Sequence, residues 1–175
     1  WFERQDRYDA ALDAITQAVD IRDARSSIAY RAHLLTLVGR DEDAYEMLKQ
    51  YDAQKQAASF SWQMSAMAYE RRDYAECSRL LERFESLSPL LERAFGERFT
   101  LFRCELSRRA GDDEKAIEYA KRSRSAFGKK VAQRLADTER RDRVDKILPV
   151  EFVRQHEMTC GPAALSAISH FWGRS

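Results

Sequence analysis

The stretch RDEDAYEML (40–48) places a short polar turn before an amphipathic helix whose first turn contains a small residue, Ala44. The same arrangement recurs as RYDAALDAI (7–15), RDYAECSRL (72–80) and GDDEKAIEY (111–119). Its small residues, Ala11, Ala44, Cys77 and Ala116, follow one another at intervals of 33, 33 and 39 positions. A period of this size predicts a repeat architecture in which each unit packs against its neighbours.

A second helical stretch precedes each of the last three turns and contains its own small residue, which is Ala32, Ser65 or Cys104. Where two helices cross closely, only a side chain of this size fits between them. We therefore expect Cys77 and Cys104 to pack at crossings rather than to react. The chain is predicted to be all-α and built from helix hairpins.

This pattern resembles the tetratricopeptide repeat, a helix–turn–helix of about 34 residues with small residues at its close crossings and a proline near its end. Pro89 supplies that proline in the third unit, whereas Ala or Ser replaces the signature glycine of the first helix. The resemblance covers residues 1–128, about 3.5 units by the repeat pattern, and implies a superhelix. Residues 129–147 would form a capping helix. A non-repeating helical bundle is the alternative.

In a superhelix of this kind the first helices line a concave surface suited to an extended or helical peptide. The residues expected in this groove are His33, Trp62, Tyr69, Glu70, Arg98, Glu105, Arg108 and Arg109. An aromatic pair beside arginines suits a ligand with an apolar side chain and an acidic group. Alternatively, Arg108 and Arg109 simply end a solvated helix. The carboxylate clamp of chaperone-binding members of the family is absent from these positions.

Cys160 lies outside the repeat register and opens the segment CGPAALSAISHFWG (160–173). Gly161 and Pro162 suit the first turn of a helix, so Cys160 is expected at a helix N-terminus, where the helix dipole favours the thiolate. Five residues earlier, Gln155 supplies a side-chain amide. With the backbone N–H of Cys160, this amide would hold the oxyanion of a tetrahedral intermediate.

Gln155 followed by Cys-Gly-Pro-Ala at the head of an apolar helix resembles the start of papain-like cysteine peptidases that process bacteriocin leaders at a double glycine. The resemblance covers residues 148–175 and implies Cys160 as nucleophile and Gln155 as oxyanion donor. These enzymes take their base from a downstream His, which this sequence does not contain after the cysteine segment. We therefore expect a truncated domain that is inactive by itself. The alternative is an interaction module whose peptidase-like part is non-catalytic.

The composition is balanced, with 30 Lys+Arg against 29 Asp+Glu, so no global charge directs the chain to nucleic acid or to a membrane. Short apolar runs and the absence of a visible secretory signal predict a cytoplasmic protein. Three cysteines without metal-ligand spacing give no sign of a metal, and no motif suggests a cofactor.

The expected partner is therefore a protein or peptide. Leu165, Ile168, Phe171 and Trp172 form an apolar face that would either fold back on the last repeats or pair with a second copy, so a homodimer through the C-terminal helix is one expectation.

Overall fold

The computed structural model describes residues 7–22, 24–137 and 160–173, and every regular element in these ranges is an α-helix. The helices are α1 (Tyr8–Ile21), α2 (Arg25–Leu37), α3 (Asp41–Lys55), α4 (Ala58–Glu70), α5 (Tyr74–Leu87), α6 (Arg93–Arg109), α7 (Asp113–Arg122), α8 (Ala126–Ala136) and α9 (Cys160–Phe171). This confirms the all-α prediction for the described residues. The chain divides into two compact units, residues 1–137 and 138–175.

The first unit contains three helix hairpins: α2 with α3, α4 with α5, and α6 with α7. Their second helices begin at Asp41, Tyr74 and Asp113, which are separated by the intervals of 33 and 39 residues expected from the repeats. Each hairpin turns through one left-handed residue, at φ of 81° for Gly39, 61° for Arg72 and 82° for Gly111. The N–H of the next residue then donates to a carbonyl of the preceding helix, at 2.8 to 2.9 Å.

The small residues lie where the helices approach most closely. Ala32, Ser65, Ala44, Cys77 and Ala116 are completely buried, and Cys104 is 4% exposed. Burial raises the pKa of Cys77 to about 11 and also raises the pKa of Cys104. Both thiols therefore pack as small apolar groups and are poor nucleophiles at neutral pH.

The longer third interval arises in and before α6. This helix has 17 residues where α2 and α4 each have 13, and the connection before it spans residues 88–92. The extra length of α6 lies at its N-terminal end, which begins at Arg93. It adds Phe95 to the junction with the preceding hairpin.

The helix α8 begins three residues before the predicted capping helix over 129–147, because Ser125 caps it by accepting the Gly128 N–H at 3.0 Å. Only glycine fits at position 128, since a Cβ there would collide with the Ser123 side chain. Ala132 shares a small core cluster with Cys104, Ala116 and Ala120, in which α8 packs against α7. The residues 138–147 of the predicted capping helix lie outside the described residues.

The other side of α8 differs from the earlier first helices. Phe127 is 65% exposed, although it holds the register of the buried Phe60 and Phe99. Arg134 is exposed at the register of Met67 and Leu106, which are buried. Within the described part of the chain, therefore, no second helix covers this side of α8.

None of the described helices combines the length and the apolar character needed to cross a bilayer.

Candidate functional site

The first helices of successive hairpins lie side by side. The Gln63 side chain in α4 donates from Nε2 to the Ala29 carbonyl in α2 at 2.9 Å. The Tyr69 hydroxyl in α4 donates to Oε1 of Glu105 in α6 at 2.6 Å. These bonds align α2, α4 and α6, whose exposed side we call the first-helix face.

The residues predicted for a peptide groove all belong to α2, α4 and α6. His33, Glu70, Arg98, Glu105, Arg108 and Arg109 are exposed, whereas Trp62 and Tyr69 are partly buried. The structure joins Tyr69, Glu105 and Arg109 in one hydrogen-bonded network. It also places the Tyr30 ring 6.3 Å from that of His33, a neighbour that the sequence analysis did not include. Tyr30 and His33 are three residues apart on one helix, and this spacing alone could have predicted their contact.

Trp62 packs inside the junction between two hairpins rather than standing open to solvent. Its ring lies 5.1 to 6.4 Å, between centroids, from four phenylalanine rings: Phe84, Phe95, Phe99 and Phe102. Offset and edge-on contacts of this kind stabilise a fixed arrangement of rings. Trp62 thus holds α4 against α5 and α6, and only part of its ring reaches the surface.

The Tyr69 network fixes the contact between α4 and α6. Arg109 donates from its guanidinium to Oε1 of Glu105 at 3.2 Å, so that carboxylate accepts from two helices. Burial, followed by the hydrogen bond to Glu105, raises the pKa of Tyr69 to about 12.

A second network of the same composition ties the second helices together. Tyr45 in α3 donates to Oε1 of Glu76 in α5 at 2.8 Å, and Arg79 binds both carboxylate oxygens of Glu76 at 2.6 and 2.7 Å. Burial raises the pKa of Tyr45 to about 12, and the bonds from Arg79 lower the pKa of Glu76. Both helix layers therefore contain a Tyr–Glu–Arg tie between neighbouring hairpins.

The predicted catalytic pair is only partly described. Gln155 lies outside the described residues, and Cys160 is the first residue of α9. Leu165 and Ile168 in α9 are 69% and 53% exposed, and Trp172, which follows the helix, is 72% exposed. Phe171 is partly buried and meets the Trp172 ring edge-on at 5.4 Å. Residues 7–22, 24–137 and 160–173 contain no cluster of His, Cys, Asp and Glu able to hold a metal ion.

The chain is similar in fold to the crystal structure of MamA, with a TM-score of 0.56 and 15% sequence identity. The likeness covers 69% of this chain and 68% of that chain. At this identity it shows the fold alone, a tetratricopeptide-like helical repeat, and it gives no support to the peptidase resemblance. No protein-family model and no curated protein matches the chain.

Replacing Tyr69 by Phe should remove the bond to Glu105 while keeping the ring against Phe102. We expect a loss of about 1 kcal/mol in the free energy of unfolding at pH 7, measured by urea titration. The pKa of Tyr69 in the folded state, about 12, exceeds its ordinary value of 10.0. The stability contributed by its hydroxyl is therefore fully present below pH 10 and is lost as the pH rises towards 12. The wild type and the Tyr69→Phe variant should therefore converge in stability above pH 10.

The matched control is Tyr51→Phe, because the partly buried Tyr51 makes no hydrogen bond through its hydroxyl among the described residues. Equal stability losses in the two variants, or a Tyr69→Phe difference that is independent of pH, would contradict the role assigned to the Tyr69 hydroxyl.

Proposed function

We propose that this chain is a protein-interaction scaffold that binds a segment of a partner protein along the first-helix face. The observation that carries this proposal is the alignment of α2, α4 and α6 by the Gln63–Ala29 and Tyr69–Glu105 bonds. A surface that is ordered before binding loses less conformational entropy when a ligand arrives. The MamA likeness supports the helical-repeat fold on which this reasoning depends.

The exposed chemistry of the face supports recognition of a peptide. Tyr30 and His33 form an aromatic pair on α2, Trp62 contributes part of its ring on α4, and Arg98 and Arg108 lie on α6. Tyrosine, tryptophan and arginine are the residues that most often dominate the energy of protein interfaces. Their distribution over three helices suits a ligand that extends across several repeats.

Selection of peptides from a phage-displayed random library on the full-length chain tests this proposal. We expect the selected peptides to bind the first-helix face, so His33→Ala and Arg98→Ala should each weaken them about tenfold, a loss of about 1.4 kcal/mol. Fluorescence anisotropy with labelled peptides gives the dissociation constants. Both substitutions remove exposed side chains, and circular dichroism verifies that the helices persist.

The matched controls are Lys49→Ala in α3 and Lys121→Ala in α7, which are exposed on the second helices. A library that yields no binding peptide would refute the scaffold proposal. Peptides weakened by the controls but not by His33→Ala or Arg98→Ala would place binding on the second helices and contradict our assignment of the face.

We also propose that residues 148–175 belong to a cysteine peptidase-like domain, next to repeats over 1–128 and a capping helix over 129–147. In a complete domain of this type, the Cys160 thiolate would attack an amide carbonyl carbon, and the domain's histidine would protonate the departing amine as the thioester forms. Water would then hydrolyse the thioester to a carboxylic acid and free the thiol. Gln155 and the Cys160 backbone N–H would hold the oxyanion. The supporting observation is that the 12-residue helix α9 begins at Cys160, at the positive end of its dipole.

Alkylation by iodoacetamide between pH 5 and 9, quantified at each cysteine by mass spectrometry, tests the proposed nucleophile. We expect the Cys160 rate to follow an apparent pKa below the free-thiol value of about 8.5. Cys77 and Cys104 serve as internal controls, because burial raises the pKa of both thiols. A Cys160 rate with an ordinary thiol pKa would favour the alternative, an interaction module with a non-catalytic peptidase-like part.

We further propose that α9 pairs with α9 of a second copy. Exposed Leu165 and Ile168 in α9 and Trp172 just after it recur at helical spacing, and residues 160–173 contain no Asp, Glu, Lys or Arg. Light scattering should give a dimer for the full chain and a monomer for Leu165→Glu/Ile168→Glu. Leu90→Glu is the control, since Leu90 is 92% exposed outside α9. A monomeric wild type would refute this pairing.

A further inference from the structure

The first-helix face continues onto α8, which the sequence alone assigned only to a cap. Each first helix can be aligned on its buried small residue: Ala32 in α2, Ser65 in α4, Cys104 in α6 and Ala132 in α8. The residues two positions earlier are then Tyr30, Gln63, Phe102 and Lys130. The residues three positions earlier are Ala29, Trp62, Leu101 and Lys129.

The packing of α8 agrees with this alignment. Ala132 lies in one cluster with Cys104 of α6 and with Ala120 of α7. Glu97 of α6 also accepts hydrogen bonds from the Ser123 hydroxyl at 2.7 Å and from the Arg124 N–H at 2.8 Å, just before α8 begins. Lys129 and Lys130 are both exposed, so they extend the first-helix face beyond α6.

The charge on the extended face is unevenly distributed. At the aligned surface positions, α2 and α4 contribute one charged side chain, Glu70. The corresponding positions of α6 and α8 carry five basic residues and two acidic ones: Arg98, Arg108, Arg109, Lys129 and Lys130, against Glu105 and Asp137. Glu105 is already engaged by Tyr69 and Arg109. Among the described residues, no ion pair neutralises Arg98, Lys129 or Lys130.

We infer that the ligand of the first-helix face is an acidic segment of a partner protein, bound with its carboxylates over Arg98, Lys129 and Lys130. An apolar side chain of the same segment would contact the Tyr30–His33 pair at the other end of the face. Complementary charge both orients such a segment and speeds its association. This inference rests on the proposed scaffold function and adds the chemistry of the partner.

The aromatic residues favour a peptide over a single-stranded nucleic acid. Binding of bases requires exposed aromatic faces beside the basic residues. Trp62 and Phe102 instead pack against each other, with ring centroids 6.0 Å apart, and Phe102 also meets Tyr69 at 5.2 Å. The rings of α4 and α6 on this face are therefore engaged in the hairpin junction. Phe127 of α8 is exposed, but it holds the register of the buried Phe60 and Phe99 and so lies away from the first-helix face.

The test uses the full-length chain and a fluorescein-labelled peptide of glutamates surrounding one leucine. We expect saturable binding by fluorescence anisotropy, and we expect Lys129→Glu/Lys130→Glu to weaken it at least about tenfold. The matched control, Lys49→Glu/Lys121→Glu, makes the same change in net charge on the second helices. It should leave the dissociation constant within about twofold. Circular dichroism verifies that both variants remain folded.

Equal weakening by the two double substitutions would overturn the inference, because it would indicate attraction to net charge alone. Failure of the acidic peptide to bind would also overturn the inference. If library-selected peptides still required His33 and Arg98 in that case, the scaffold function would stand without an acidic ligand. A fluorescein-labelled thymidine oligonucleotide is the second probe. If it binds more tightly than the peptide, and if Lys129→Glu/Lys130→Glu abolishes that binding, the ligand is a nucleic acid and the acidic-peptide inference is refuted.

Discussion

The close approach of paired helices is the constraint on which the rest of this structure depends. Two helices meet at such short distance only where the side chain between them is very small, and Ala32, Ser65 and Cys104 are buried at these points. Larger side chains at these positions would separate the paired helices and change the positions of α2, α4 and α6, which form the first-helix face. The same constraint explains two of the three cysteines, because burial that suits a small apolar group also raises the pKa of a thiol.

Hydrogen bonds between neighbouring hairpins convert this stack into a defined surface. Tyr69–Glu105 joins first helices, and Tyr45–Glu76 joins second helices, each reinforced by an arginine on the acceptor's helix. Each tyrosine is partly buried, and its hydroxyl donates to a carboxylate of the neighbouring hairpin. A repeat with ties on both layers resists changes in the angle between hairpins. The exposed side chains of α4 and α6 thus keep a fixed spacing.

The two units of the chain support functional proposals of different kinds. In the first unit, contacts, burial and charge all describe one surface, and the fold likeness to MamA agrees with a helical repeat. In the second unit, the described helix α9 supplies the position of Cys160 and an exposed apolar side. The two proposals are compatible in one protein, since the proposed binding surface would recruit a protein on which the proposed nucleophile would act.

The sequence by itself determined the helices, the repeat period, the buried small residues and the helical position of Cys160, because these follow from local patterns of apolar and small side chains. Only the tertiary structure showed Trp62 packed among four phenylalanines, α8 in the register of a first helix, and Tyr69 bonded to Glu105, 36 positions away. Such pairings depend on how the hairpins stack and on the longer α6, and no local pattern specifies them. Packing between repeats therefore decided which predicted surface residues face solvent and which hold the scaffold together.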